Sequence, residues 1–549
     1  MTGSPGADPR ARPDFAAATG PTGAEASSNH ITDKATAAPM DMRLRALAAC
    51  AALLAPVALA AQAPELARAV TTITQDDYAW RIGVIAHDSM QGRDTPSPGL
   101  DKTAEWIASE FRRFGLRGGA EGGSFIQRYP LVETALDAAA SGLEVAGGPR
   151  LRFGADLAPM WGADQAEATG GLVLVTGEPD GAALEKADLT GKHVAVAFPP
   201  GAATNRRSLF GMLSAVGNSG AVSFMIANGD ADGPWAAAVA SAMEPSVSWP
   251  GEERSGAGPF GVPRLQIRTA SLARVLQAAG LDPERLRRTG RMQLTEVPGV
   301  TLTLTQRVRA TPTSAPNVVG ILEGSDPILK DEYVVFSGHM DHIGIGTPDE
   351  NGDSIFNGAD DNASGTAAVM EVAEAMVSLS PAPRRSVIFV LVSGEEKGLW
   401  GSQYYADNPS VPVQRMVADF NADMVGRNWP DTIVAIGKEH SDLGATMNRV
   451  NDAHPELRMT AIDDIWPEER YYFRSDHYHF ARKGVPILFF FNGTHEDYHG
   501  RDDEPERVDS EKAARISRLL FYLGMEVANA EERPRWNPES YKQIVSDRN

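Results

Sequence analysis

The sequence predicts an α/β fold, a mixed and mostly parallel sheet flanked by helices, with a smaller domain inserted in it. Three observations carry that expectation. From Ala315 onward, short apolar runs alternate with helical patterns. Several of those runs are followed closely by His, Asp or Glu, as expected where the strands of an open sheet deliver residues to the crevice at their carboxyl ends. Between 141 and 304 the texture changes to small residues, frequent Gly and short β-like runs, the mark of a second domain.

At 549 residues there is chain enough for two to four domains of roughly 150 residues each. With 22 % charged and 42 % hydrophobic residues the composition is globular. A formal net charge of -21 argues against nucleic acid or an anionic membrane as partner, because both are bound through basic surface.

Residues 1–39, rich in Gly, Ala, Pro, Ser and Thr, read as a disordered leader or start-site extension before a second start at Met40 or Met42. Residues 40–63 read as a secretory signal peptide. Arg43 and Arg45 form its basic end, Ala46 to Leu59 its apolar stretch and Ala61-Gln62-Ala63 its cleavage site. The mature chain is then secreted or periplasmic. Cys50, the only cysteine, ends Leu47-Ala48-Ala49-Cys50, similar to a lipoprotein box, so a lipid anchor there is the alternative. The apolar run lies mostly after Cys50, which favours ordinary cleavage. That leaves no cysteine, and any metal ligands must be His, Asp and Glu.

The main domain spans 67–140 and 305–530. It opens with two helical patterns, VTTITQDDYAWRIGVIAHDS and LDKTAEWIASEFRRFGL, joined by MQGRDTPSPG. The insertion, 141–304, holds strand-like GGLVLVTG, AVSFMIAN and VPRLQI, and His193 reads as a strand residue. After the insertion the strand candidates are Asn317–Leu322, Tyr333–Phe336, Val387–Val392, Met416–Phe420, Thr432–Ile436 and Val485–Phe491. The polar tail, 531–549, is expected on the surface.

YVVFSGHMDHIG leaves its strand with His339 and Asp341, a spacing at which the Asp can orient a metal-binding His. NGADDNASG then places Asp360-Asp361 ahead of a helical pattern, where carboxylates can hold a divalent metal. Asp-Asn-Ala-Ser before a helix is also ordinary N-capping chemistry. Downstream, Glu395-Glu396 follow a strand in SGEEKGLWGS, Asp423 follows another in FNADMVG, and His499 comes after ILFFFNGTH. Two histidines and three carboxylates on separate strand ends suit zinc, with one carboxylate able to bridge two ions. Glu395 is the carboxylate left over, and a non-ligand Glu beside such a centre is the general base that metal-assisted hydrolysis needs.

In this order GHMDHIG, GADDNASG, SGEEKGLWGS, FNADMVG, RSDHYHF and DYHGRDDEPERV closely resemble the two-zinc aminopeptidase family, metallopeptidase family 28, over most of Asn317 to Asp509. The family includes bacterial leucyl aminopeptidases and glutamate carboxypeptidase. The insertion resembles its protease-associated domain, and the QGRDTPSPG region its N-terminal helical segment. The resemblance implies a zinc-exopeptidase-like fold and two Zn2+ per chain. It puts His339, Asp361 and Asp423 on one ion and Asp361, Glu396 and His499 on the other. Asp361 is taken as the bridge because the family's bridging Asp stands three before a Ser-Gly pair, here Ser364-Gly365. Asp341 would orient His339, Glu395 would be the base, and the peptide bond after Asp361 would be cis. His477, His479 and His495 compete with His499, whose Tyr-His-x-x-x-Asp surroundings fit the family better. His342 reads as a loop residue. Ser475-Asp476-His477 does not make a serine triad, since neighbours on a short extended segment point to opposite faces.

The implied activity is peptide hydrolysis. An aminopeptidase is favoured: Asp464, Glu468 or Glu469 could pair with a free α-amine, and Trp466, Tyr471, Tyr472 and Phe473 could line a side-chain pocket, with Asp476 and His477 near the substrate. The same residues could equally just cover the loop. Arg470 and Arg474 keep a carboxypeptidase or dipeptidase open. A glutaminyl cyclase-type acyltransferase and a receptor-like binding protein are less favoured, because every ligand position and Glu395-Glu396 are present.

Overall fold

The apolar runs become strands, and their pairing decides which ends meet. The computed structural model describes residues 64–545 apart from 161–164, 179, 199–205, 229–231 and 252–261. The leader, the signal-peptide reading and Cys50 lie outside the described residues. No described helix is long and apolar enough to cross a membrane.

Among the described residues, those up to Tyr129 and from Ala315 form one compact unit, and Pro130–Ser314 form another. The second unit is about ten residues longer at each end than the sequence texture indicates. The reason is local: the borders fall inside two long strands, Ile126–Leu136 and Val308–Leu322, along which composition does not change.

In the first unit the strands that position the site are β1 (Val308–Leu322), β2 (Tyr333–His339), β3 (Ser386–Val392), β4 (Met416–Asp423), β5 (Thr432–Ile436), β6 (Thr460–Ile462) and β7 (Ile487–Phe491). They lie in the order β6-β5-β7-β4-β2-β3-β1. The pairs β2/β3, β2/β4, β4/β7 and β5/β6 are parallel, while β1/β3 and β5/β7 are antiparallel. Parallel strands covered on both faces read as unbroken apolar runs, and β2, β3 and β4 are buried at every position.

The helices start where polar side chains satisfy their free amides. Thr74 caps α1 (Gln75–Ile85) by accepting from the Asp77 amide. Ser97 does the same for Leu100 in α2 (Pro98–Phe114), which Gly115 ends at φ +99°. Helix α3 (Gly365–Val377) is buried almost all round, and α4 (Ser510–Asn529) packs against it. Arg81 of α1 donates to Glu371 of α3 at 2.7 Å, both side chains 2 % exposed. The tail is less peripheral than its composition implies: Trp536 and Ile544 pack on the main apolar cluster, and Trp536 Nε1 donates to the Gly484 carbonyl at 2.9 Å.

The second unit is an eight-stranded sheet with an apolar cluster on each face. Leu172 and Leu174 join one cluster and Val173 and Val175 the other, the period-two alternation of a strand covered on both sides. His193 is indeed a strand residue. Its ring is buried between Ser223 Oγ and the Leu302 carbonyl, and burial pulls its pKa down to about 4.

Helix α3 approaches β4 as closely as glycine allows. A Cβ at Gly365 would lie 2.1 Å from the Ala422 carbonyl oxygen, which belongs to a buried strand and cannot yield. Gly365→Ala should therefore destabilise the chain by at least the ~1–3 kcal/mol typical of overpacking. Gly83→Ala, within α1 with open space around it, should instead be neutral or stabilising by a few tenths of a kcal/mol, roughly. Thermal unfolding of the pair checks this, and equal melting temperatures would refute it.

Candidate active site

The parallel strands β2, β3, β4 and β7 end on one side of the sheet, and the candidate residues lie at or just beyond those ends. His339 closes β2 and Asp423 closes β4, while Glu395 and Glu396 follow β3 and His499 follows β7. Asp361 comes from the turn Ala359–Ser364 that leads into α3, and the Asp361–Asn362 bond is cis.

That turn is tied down on every side. Asn362 Nδ2 donates to the Ala422 carbonyl at 3.0 Å, and its Oδ1 accepts from Gly365 N at 2.8 Å and Met424 N at 3.2 Å. Asp360 Oδ1 accepts from Gly426 N at 2.7 Å. Asp503 accepts from the Asp360 and Asp361 amides at 3.0 Å. The capping chemistry legible in the sequence is thus real, but Asn362 performs it and the Asp361 carboxylate is left for the site.

Asp361 presents its two oxygens to two different histidines. Oδ1 is 3.5 Å from His339 Nε2, which is 3.4 Å from Asp423 Oδ1. Oδ2 is 3.2 Å from His499 Nε2, which is 3.1 Å from Glu396 Oε2. Ligands held ~2.0–2.1 Å from a tetrahedral zinc stand about 3.3 Å from one another, so these separations match tetrahedron edges. Asp423 Oδ1 is buried without a hydrogen-bond partner. The donor set, imidazole and carboxylate, also fits zinc.

His342 is a rival for His499, since it too gathers with Asp361 and Glu396. Its Nδ1 lies 2.9 Å from Glu396 Oε1 and 3.8 Å from Asp361 Oδ2. The first is a hydrogen bond, and neither is an edge length, so His499 has the geometry better suited to a ligand and His342 is placed to orient Glu396. His342 is fully buried, not a loose loop side chain. His477 bonds the Tyr472 carbonyl, His479 faces another cavity, and His495 lies 3.3 Å from Asp360.

Acid charge is in excess here, and the titration behaviour reflects it. Burial pushes Glu395 well above the usual carboxylate range; His339 opposes the shift and Asp476 and Asp423 add to it. Burial and then Glu396 raise Asp361. Against burial, hydrogen bonds to Asp361 and Glu396 carry His499 up to about 10. Buried carboxylates at this density need cations to offset them.

Asp341 acts differently from the sequence expectation. Its carboxylate is 3.7 Å from His339 Nδ1, beyond hydrogen-bond reach, and its backbone carbonyl at 3.3 Å is nearer. The carboxylate instead accepts from Thr95 Oγ1 at 3.0 Å and the Glu395 amide at 3.3 Å, which positions Glu395.

The cavity over this cluster is lined by His339, Asp361, Glu395 and Asp423 together with Tyr471, Arg474, Ser475 and Tyr498. Of the expected substrate-binding residues only Tyr471 lines it. Trp466 packs on Trp429 and Phe491, and Tyr472 is in the core. His477 stacks on Phe489, Asp476 is fully buried, and Phe473 is exposed elsewhere. Nor do Asp464, Glu468 and Glu469 reach the cavity. A short helix begins at His477, so the segment winds instead of running extended and its side chains divide among several directions.

Residues 317–524 match the model of peptidase family M28. That stretch of the chain is similar to the family. A probable zinc metalloprotease of Pyricularia oryzae is 29 % identical over 287 residues, covering 44 % of this chain and 55 % of that protein. Aminopeptidase YwaD of Bacillus subtilis is 26 % identical over 245 residues, 43 % of this chain and 49 % of the other. The chain thus spans about half the length of these curated relatives. A solved Bacillus subtilis zinc aminopeptidase shares the fold, with a TM-score of 0.50 and 18 % identity over 84 % of this chain and 96 % of that one.

The site has a support that sequence reasoning missed. Arg93 is completely buried and donates only to main-chain carbonyls: Met340 at 2.8 Å, Ile85 at 3.0 Å, Asn357 at 2.6 Å and Gly358 at 2.9 Å. Met340 lies between His339 and Asp341, and Gly358 precedes the Asp361 turn, so one guanidinium pins both segments. Burial lowers its pKa only to about 10, with Asp341 and Asp503 opposing, so it stays charged. Its one sequence signal is an arginine inside the loop MQGRDTPSPG, and Asp503 shows only as part of an acidic run.

Removing that fork takes the arginine donor from the Met340, Ile85 and Asn357 carbonyls, at roughly 1–3 kcal/mol for each one left unsatisfied, while Gly358 still accepts from the Ala363 amide. Arg93→Met should destabilise the chelator-treated chain by about 3 kcal/mol or more, and Arg93→Lys by an intermediate amount, since an ammonium cannot span the same acceptors. Denaturant titration checks it; a lysine variant as stable as the parent would contradict this role.

Proposed function

We propose that the chain is a secreted or periplasmic zinc-dependent exopeptidase that removes N-terminal residues from peptides, using two zinc ions and Glu395 as general base. The observation that carries the reading is the divided Asp361 carboxylate, each oxygen at a tetrahedral edge length from its own histidine. His339, Asp361 and Asp423 would hold one ion, and Asp361, Glu396 and His499 the other.

When bound, a zinc pair would acidify a water and polarise the scissile carbonyl. Everything else falls to the chain's own side chains. The Glu395 carboxylate, lining the cavity but outside both ligand sets, takes the proton from the attacking water and passes it to the leaving amine. Its backbone is fixed by Asp341, which is fixed in turn by Thr95. Tyr498 stacks on His499 with ring centres 3.9 Å apart, and burial pushes its hydroxyl well above the usual tyrosine range, so it can donate to charge developing on the carbonyl oxygen.

Support for the amino end comes from the relative in Bacillus subtilis named an aminopeptidase. One observation favours a second reading. Arg474 lines the cavity, stacked on Tyr471 at 4.9 Å, and could fix a terminal carboxylate, as a carboxypeptidase or dipeptidase requires.

Hydrolysis of free and N-acetylated aminoacyl amides, with chelator and with zinc restored, separates the two. Chelator-sensitive cleavage confined to free amines is the expected result. Cleavage only of blocked peptides with a free carboxylate would transfer the assignment to the second reading. Glu395→Gln should keep its zinc and lose turnover by ~100-fold or more, the range of general base catalysis; unchanged turnover would remove Glu395 from the mechanism.

A further inference from the structure

Behind the wall of the catalytic cavity lies a second one of about 600 Å³, within the usual range for small-molecule sites. One stretch of chain, 470–482, contributes to the lining of both. Tyr471, Arg474 and Ser475 face the catalytic cavity, while Arg470, Phe473, Tyr478, His479 and Arg482 face the second.

The second cavity inverts the charge of the molecule. In a chain of net charge -21, the described residues of its lining hold Arg470, Arg482 and Lys483 against one carboxylate, Asp407, which is already paired with Lys483 at 2.6 Å. Neither Arg470 nor Arg482 has a carboxylate partner among the described residues; both lie over aromatic rings instead. The Arg470 guanidinium is 4.9 Å from the Phe473 ring centre and that of Arg482 is 5.9 Å from the Tyr478 ring, and the two rings meet edge to face at 5.3 Å. Ring contact holds a guanidinium in place while leaving its in-plane donors free. His479, pulled down to about 4 by burial and by Arg482, is neutral at physiological pH. Arg470 also sits at φ +55° between two tight turns, a constrained conformation of the kind that gathers at ligand sites.

We propose that this cavity binds a small molecule carrying a carboxylate or phosphate group, and that its occupancy alters substrate binding through the segment Arg470–Ser475. Paired guanidinium forks recognise planar or tetrahedral oxyanions bidentately. The link to the catalytic cavity is short: Ser475 donates to Asp423 Oδ2 at 3.0 Å, and Tyr471 and Arg474 are cavity walls.

Isothermal titration of the full-length, zinc-loaded chain with succinate and, separately, inorganic phosphate tests the site and distinguishes the two anion sources. Arg482→Ala and Arg470→Ala serve as the variants, neither touching the proposed ligand cluster. Saturable binding weakened about tenfold or more in each variant is expected, the loss that follows from a charge-assisted hydrogen bond. The same anion should shift the KM of the parent chain and leave that of Arg482→Ala unmoved. Equal affinity in parent and variants, or no saturable binding in any, would overturn the site. Arginine-dependent binding with an unmoved KM would overturn its coupling to catalysis. The titration reads heat, not turnover, so it stands apart from the peptidase assignment.

Discussion

The molecule is organised around concentrated negative charge held out of water. Asp361, Glu396 and Asp423 converge to between 3.1 and 3.5 Å from two histidines, with Glu395 and Asp476 close behind. Such an array tolerates burial only if its side chains cannot move apart and if positive charge is nearby. The fold provides the first condition through parallel strands whose ends cannot shift independently, and through a turn laced by Asn362 and Asp503. It meets part of the second with His339, His499 and the buried Arg93. The remainder is what makes a cation site the natural reading of the cluster.

Arg93 and Asp503 show how the surrounding residues do this without touching substrate. Arg93 carries positive charge into the core while bonding only neutral carbonyls, so it balances the acids without neutralising any one of them. Asp503 does the converse, an acid that accepts from the two amides of the Asp361 turn and so aims the Asp361 carboxylate. Burial and then Asp360 raise its pKa to about 6, the electrostatic consequence of adding another carboxylate to this neighbourhood.

Much of this was legible in the sequence because parallel strands place chemistry at their ends. Apolar runs of the right length, each followed within a few residues by His339, Glu395-Glu396, Asp423 or His499, mark both the sheet and the residues that gather at its strand ends. Three things were not legible. Arg93 and Asp503 act through main-chain groups, which leave no side-chain pairing pattern to read. His342 sits one residue beyond Asp341, and only the fold shows it turned inward toward Glu396. The stretch from Trp466 to His477 looks like a uniform aromatic wall, yet tight turns and a short helix send its side chains into the core, the catalytic cavity and a second, basic cavity.

The claim at the centre of this account is that Asp361 serves two cations at once. Zinc content after exhaustive dialysis, compared for the parent chain, Asp361→Ala and Asp423→Ala, tests it most directly. The account predicts two zinc ions in the parent, close to one in Asp423→Ala and essentially none in Asp361→Ala. Equal zinc content in the two variants, or a single ion in the parent, would contradict it.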